Sequence, residues 1–214
     1  MNLGILSALS FVAIAIGLPL AARAEGPTCN CAKAQGEVEK LIWRDASLAA
    51  LDRKLDGVYK SASAAAKGKL ATQLREEQRG CVKGHNESWK ANGQQTWITA
   101  TRTVDTVKAC ADAQYRLRTS ELQAAWRLLP PKTVFYACQN NTAIEVVASF
   151  FDTDPATIRL ERGDRTKTLW RVGDASAGKY EGQNVSLVHQ GSELKLSWLD
   201  TDTGKTDELQ CKAR

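Results

Sequence analysis

The sequence predicts an α+β protein in two domains, an N-terminal antiparallel helical module followed by a small antiparallel β domain. Three observations predict it. Apolar residues recur at helical spacing up to Trp126, the period becomes two from Val134 onward, and Pro130-Pro131 stands between the two patterns. Neither proline can continue a helical hydrogen-bond ladder, so the last helix ends there. The expected division is a signal peptide over 1–24, a helical domain over 25–131 and a β domain over 132–214.

The chain opens with an uncharged run from Asn2 to Ala22, almost wholly apolar from Ile5 to Leu20. That run is long enough to invite a membrane-span reading. Pro19 and the small-x-small triplet Ala22-Arg23-Ala24 favour cleavage after Ala24 instead. The expected product begins at Glu25, is periplasmic or secreted, and keeps no membrane span. No cysteine follows the small residues directly, so no lipid anchor is expected.

A short helix fits Glu37 to Trp43. Asp45 can cap a second, whose Leu48, Leu51, Leu55, Val58 and Tyr59 share one face. Leu70, Leu74, Cys81, Val82 and Trp89 mark the next, stopped by Ala91-Asn92-Gly93. Val107, Ala111, Tyr115, Leu122 and Trp126 mark the last, with a gap in the stripe at Arg118. Trp43, Trp89 and Trp126 fall at core spacing on these helices, so packing rather than sugar stacking is expected of them.

Beyond the prolines, Val134, Tyr136 and Cys138 alternate with polar or small neighbours. So do Ile144, Val146 and Ala148, then Ile158 and Leu160, then Leu194, Leu196 and Trp198. Turn signals separate the runs at Gln139-Asn140-Asn141, Asp152 to Pro155, Arg162-Gly163-Asp164, Gly191-Ser192 and Asp202-Thr203-Gly204. Seven or eight short strands in about 80 residues imply a small antiparallel barrel or sandwich.

Charge and cysteines bound the function. The chain carries net +5, of which Arg23 contributes +1, residues 25–131 contribute +5 and residues 132–214 contribute −1. That is too sparse for a nucleic-acid surface, and it lets the halves have different partners. All six cysteines follow the signal peptide, and an even count in an exported chain favours disulfides. Cys138 ends the first strand and Cys211 the last, so a bond between them would tie the sheet's two ends together. Cys29, Cys31, Cys81 and Cys110 are further disulfide candidates, with three connectivities open. Cys29-x-Cys31 with Cys81-x3-His85 also has the spacing of a Cys3His zinc set, although disulfides are favoured and no metal is expected. His85 and His189 have no evident nucleophile or carboxylate partner, and no phosphate-binding glycine loop occurs. No enzyme and no cofactor are expected.

Residues 133–211 resemble the MliC/PliC inhibitors of c-type lysozyme. The resemblance rests on Tyr136-Ala137-Cys138, on the closing Cys211, and on Ser176-Ala177-Gly178-Lys179-Tyr180 followed by Gln190-Gly191. It implies an eight-stranded antiparallel barrel and a Cys138–Cys211 bond. It implies a c-type lysozyme as partner, contacted near Ser176, Lys179, Tyr180, Gln190 and Gly191. Such a lysozyme cleaves between two carboxyl groups, which a hydroxyl and an ammonium on one rigid loop can occupy. Here Ser-Ala-Gly replaces the family's Ser-Gly, and the family's lysine falls on Gln190. Gln190 keeps two donors but no charge, which lowers affinity by roughly five- to thirtyfold. Lys179 can supply a cation instead, and His189 can act as a pH-sensitive neighbour.

The first half is similar to the LprI-type helical module of bacterial envelope proteins, a module often linked to lysozyme inhibition. The matching residues are Cys31 to Ala34, Glu39 to Ile42, Leu48-Ala49-Ala50-Leu51-Asp52, Glu77-Gln78-Arg79-Gly80, Trp89-Lys90, Cys110 and Tyr115-Arg116-Leu117-Arg118. The family's usual cysteines fall on Trp43 and Ser88, while Cys29 and Cys81 are additional. The alternative function is a non-inhibitory module that binds peptidoglycan or another envelope component.

Overall fold

In the computed structural model the described residues are 28, 36–87, 97–98, 103–104 and 106–214, with backbone alone for 37, 80–87, 97–98 and 103–104. The expected signal peptide over 1–24, Cys29, Cys31, the side chains of Cys81 and His85, Trp89 and the expected stop at Ala91 to Gly93 lie outside them. Four helices occupy the first half: α1 (Glu37–Arg44), α2 (Ala46–Ala65), α3 (Gly68–Glu87) and α4 (Val107–Ala125). Two two-residue strands, β1 (Trp97–Ile98) and β2 (Thr103–Val104), pair ahead of α4.

Asp45 caps α2 as expected, accepting the amides of Ser47 at 3.0 Å and Leu48 at 3.1 Å. It also pairs with Lys108 at the start of α4, and that contact chiefly holds its carboxyl well below the usual range. Tyr115 donates its hydroxyl to Asp52 at 3.0 Å. Both pairs join residues 63 apart in sequence, so α2 and α4 run side by side in the same direction. Leu48, Leu55, Ala62, Leu74, Tyr115 and Leu122 pack into one buried cluster. Each leucine fully withdrawn from water stabilises by about 1.5–3 kcal/mol.

Three expectations need correction here. Trp43 is 55 % exposed. The inward face of α1 is Val38, Leu41 and Ile42, and the residue after Ile42 is turned about 100° away from it. Leu70 is 57 % exposed, because it sits where α2 and α3 join rather than between helices. Arg118 is not a gap in the packing, being only 7 % exposed. It donates to Gln78 at 3.1 Å and Glu121 at 2.8 Å, with Glu77 at 3.6 Å. The Glu-Gln pair of α3 and the last arginine of Tyr-Arg-Leu-Arg thus meet in space.

The second half is a closed antiparallel barrel. Its strands are β3 (Lys132–Cys138), β4 (Asn141–Phe151), β5 (Thr157–Arg162), β6 (Arg165–Arg171), β7 (Lys179–Gly182), β8 (Val185–Gln190), β9 (Glu193–Leu199) and β10 (Thr206–Ala213). Alternation fills the interior with Tyr136, Val146, Ile158, Leu160, Leu187 and Trp198, among others. Gln139 and Asn140 both take positive φ, as a two-residue turn between β3 and β4 requires. Every neighbouring pair is consecutive in the chain except β10 with β3, which closes the barrel. Cys138 and Cys211 are direct register partners on that pair and are disulfide-bonded.

Helix α4 joins the halves. One of its stripes enters the helical core. A second stripe of small residues, Ala113, Ser120 and Ala124, is buried too. Trp170 of β6 donates its indole N–H to Ser120 at 3.1 Å, and Arg159 of β5 reaches the Ala125 carbonyl at 3.5 Å. Arg116 pairs with Asp154 in the β4–β5 connection, and Arg127 with Glu161 at 3.4 Å.

Candidate functional site

Three connections crowd one end of the barrel, here called the mouth: residues 152–156, 172–178 and 191–192. The middle one is tightly held. Val172 donates its amide to the Lys179 carbonyl at 3.0 Å, and Ala177 donates to Asp174 at 3.0 Å around a 3-10 turn, Ala175–Ala177. Gly178 then takes φ 59°, a left-handed conformation that favours glycine. Its carbonyl accepts the His189 amide at 2.9 Å, and a Cβ there would lie 2.1 Å from the His189 carbonyl oxygen. The close approach requires glycine at this step of the loop.

The register places the expected residues. Lys179 lies opposite Val188, and Gly178 bonds to His189, so the Ser176 turn runs beside the end of β8 that carries Gln190. Ser176, Lys179, Gln190 and Gly191 are all at the mouth. The first three are exposed, and Gly191 turns the chain at φ 60°. Lys179 is not a lone cation, since its ammonium is 2.6 Å from Glu181. Gln190 stands opposite Glu193 in the last pair of β8 and β9.

Tyr180 is set apart from the other four because its side chain is buried. Its hydroxyl accepts from Arg171 Nη2 at 2.9 Å and Nε at 3.3 Å, and the guanidinium carbon lies 5.5 Å from its ring centre. Arg171 and Tyr180 bracket the 172–178 loop and bond across its base. Sequence reading missed Arg171, although its place one residue before the loop was the available signal. Phe150 packs edge-on to Tyr180 at 6.4 Å and tilted on His189 at 4.8 Å, while Tyr136 meets His189 edge-on at 6.4 Å. Phe150 and Tyr180, with Arg171 and the 152–156 connection, line a recess of about 560 Å³.

Burial in that floor pushes the His189 imidazole below its usual pKa, assisted by Lys132 and opposed by a bond to the Gly191 backbone. Burial likewise raises the Tyr136 phenol, whose oxygen finds no hydrogen-bond partner. The mouth therefore offers a hydroxyl, an amide and a neutralised lysine on a rigid frame. It can present hydrogen bonds to a partner. Among the described residues, no group of His, Cys, Asp and Glu could hold a metal, and no helix is long and apolar enough to cross a membrane.

Residues 136–204 match the family model of MliC, the membrane-bound lysozyme-inhibitor of c-type lysozyme. The MliC match covers under half of the chain and lies wholly within the barrel. It spans both the Ser176 loop and the Gln190 turn. No curated protein and no solved structure matches the chain.

Proposed function

We propose that this chain is an exported inhibitor of c-type lysozyme, working in the periplasm or outside the cell. On this reading the signal peptide is 1–24, residues 25–131 form an LprI-like helical domain, and residues 132–214 form the inhibitory barrel. The observation that supports the reading is the 172–178 loop of the MliC-matched segment, which carries Ser176 and is bonded through Gly178 to His189, the residue before Gln190. Ser176 and Gln190 enter the lysozyme cleft and hydrogen-bond its two catalytic carboxyls, with Lys179 and Gly191 at the rim. Tyr180 acts from beneath, as the anchor of the loop. The role is that of an inhibitor rather than an enzyme.

Titration of the protein against a c-type lysozyme, with bacterial lysis as the readout, tests this. Gln190→Lys is expected to tighten binding by ~1–2 kcal/mol, because a cation facing a carboxylate outweighs an amide. Ser176→Ala is expected to weaken it by about 1 kcal/mol. Unchanged affinity in both variants would remove the loop from the mechanism.

A second reading has its own support. Lys179 is neutralised by Glu181, and Gln190 faces Glu193, so the mouth has lost the cation that the resemblance implies. A module that binds peptidoglycan or another envelope component without inhibiting would tolerate that loss. Binding to peptidoglycan together with no protection against lysozyme would favour it.

A further inference from the structure

The turn between α2 and α3 has a character of its own. From Gly57 to Arg75 the chain carries Lys60, Lys67, Lys69 and Arg75 and no carboxylate. Lys60 pairs with Asp56 at 2.7 Å, and Lys67 reaches the Ala64 carbonyl at 3.4 Å. Ala64, Ala65, Lys67, Gly68, Lys69 and Leu70 are exposed in succession around the buried Ala66. Leu70 stands out, with 57 % of its surface in water. A single exposed leucine is unremarkable. A leucine in the first turn of α3, close to Lys67 and Lys69 and to small residues, with no acid between Gly57 and Arg75, combines an insertable apolar tip with a cationic collar.

The turn also faces a particular way. Because α2 and α4 run in the same direction, the end of α2 lies level with the end of α4, about 20 Å along from the Asp52–Tyr115 pair. The mouth lies beside the middle of α4, where Arg116 meets Asp154, and β5 runs from there toward the end of α4, with Arg159 at Ala125 and Glu161 at Arg127. Surface contact through the turn therefore leaves the mouth directed away from that surface. The last stretch of α4 and its exit, residues 122–131, add no carboxylate.

We propose that the α2–α3 turn docks on an anionic phospholipid bilayer, with Lys67 and Lys69 against the headgroups and Leu70 at the acyl boundary. Charge complementarity argues for anionic lipid, and the exposed leucine argues for a bilayer rather than a soluble polyanion. The turn holds the protein at a membrane surface while the barrel meets its partner.

Amine acylation of the full chain, read lysine by lysine, tests this locally, whatever other segments do. Phosphatidylglycerol vesicles should slow acylation of Lys67 and Lys69 about fivefold or more, the effect expected of a lysine at an anionic surface. Lys195 and Lys205 on the barrel should be unaffected. High salt should remove the protection. Leu70→Ser should shift the vesicle concentration needed for protection upward by about tenfold. Equal protection by phosphatidylcholine vesicles would overturn the proposal. So would equal protection by a soluble polyanion such as dextran sulfate, or an unchanged Leu70→Ser titration.

Discussion

The barrel keeps its ends together with a covalent bond, whereas among the described residues the helical half closes through polar pairs between helices far apart in sequence. Seven of the barrel's eight strand pairings join neighbours in the chain, and only β10 with β3 spans the whole domain. Local pairings cost little loop entropy, and the seam costs most. The disulfide sits on that seam, joining cysteines 73 positions apart in sequence. In the helical half, α2 meets α4 through Asp45–Lys108 and Tyr115–Asp52, each 63 residues apart. The difference teaches where each half is vulnerable: the barrel at one point, the helices along an interface.

The largest expected effect breaks that comparison at the seam. Replacing Cys138 and Cys211 by Ser should destabilise the barrel by about 4 kcal/mol, the chain-entropy figure for a loop of this length. Segment-resolved hydrogen exchange on the full chain reads it. Amides of β3 and β10 should lose most protection, and those of α2 should lose least. Equal loss in both halves would mean that they unfold as one unit across α4.

The next effect separates two glycines of the mouth that look alike in sequence. Gly178 and Gly191 both have φ near +60°. A Cβ at 178 would strike the His189 carbonyl oxygen, whereas a Cβ at 191 meets nothing within 4 Å. Gly191→Ala should cost about 1–2 kcal/mol, the left-handed penalty alone. Gly178→Ala should cost clearly more and should pull Ser176 off its frame. Thermal unfolding ranks the two, and equal losses would mean that the loop is not clamped against β8.

Much of this was legible beforehand, and the misses have physical reasons. The period change after Pro131, the Asp45 cap and the alternation of β3, β4, β5 and β9 came from local pattern, and local pattern survives folding. Trp43 and Leu70 were misplaced because spacing alone does not say where a helix face stops having a neighbour. Arg118 was read as a gap because its partners, Gln78 and Glu77, lie about 40 residues away on another helix. The small stripe Ala113, Ser120 and Ala124 could have announced a second packed face on α4. At the mouth, Ser176, Lys179, Gln190 and Gly191 were placed by resemblance. Arg171 carries no motif and became visible only through its bond to Tyr180.

The smallest effect sharpens the comparison through pH. The chain has only two histidines, so His189 gives a signal that one substitution can assign. Its folded pKa is lowered, chiefly by burial, from an ordinary value of 6.5. The unfolded chain therefore takes up a proton first as pH falls. The stability contributed by the neutral ring is complete above pH 6.5 and drains away below it, down to the depressed folded value. Phe150, Tyr136, Lys132 and the Gly191 backbone face the ring, and none of them offers a carboxylate to receive the new charge. Asp45 behaves oppositely in range. Lys108 holds its pKa below 3.8, so its cap on α2 is complete above that pH and is lost only as pH falls through the lower folded value. Between about pH 6.5 and pH 4 the mouth should therefore loosen while the α2 cap persists. Proton NMR titration should give His189 a midpoint below 6.5, and His189→Gln should flatten the thermal midpoint across this window. A normal or raised His189 midpoint would mean that the ring leaves the aromatic floor in solution, and the clamp on the Ser176 loop would then have to rest on Gly178 and Tyr180 alone.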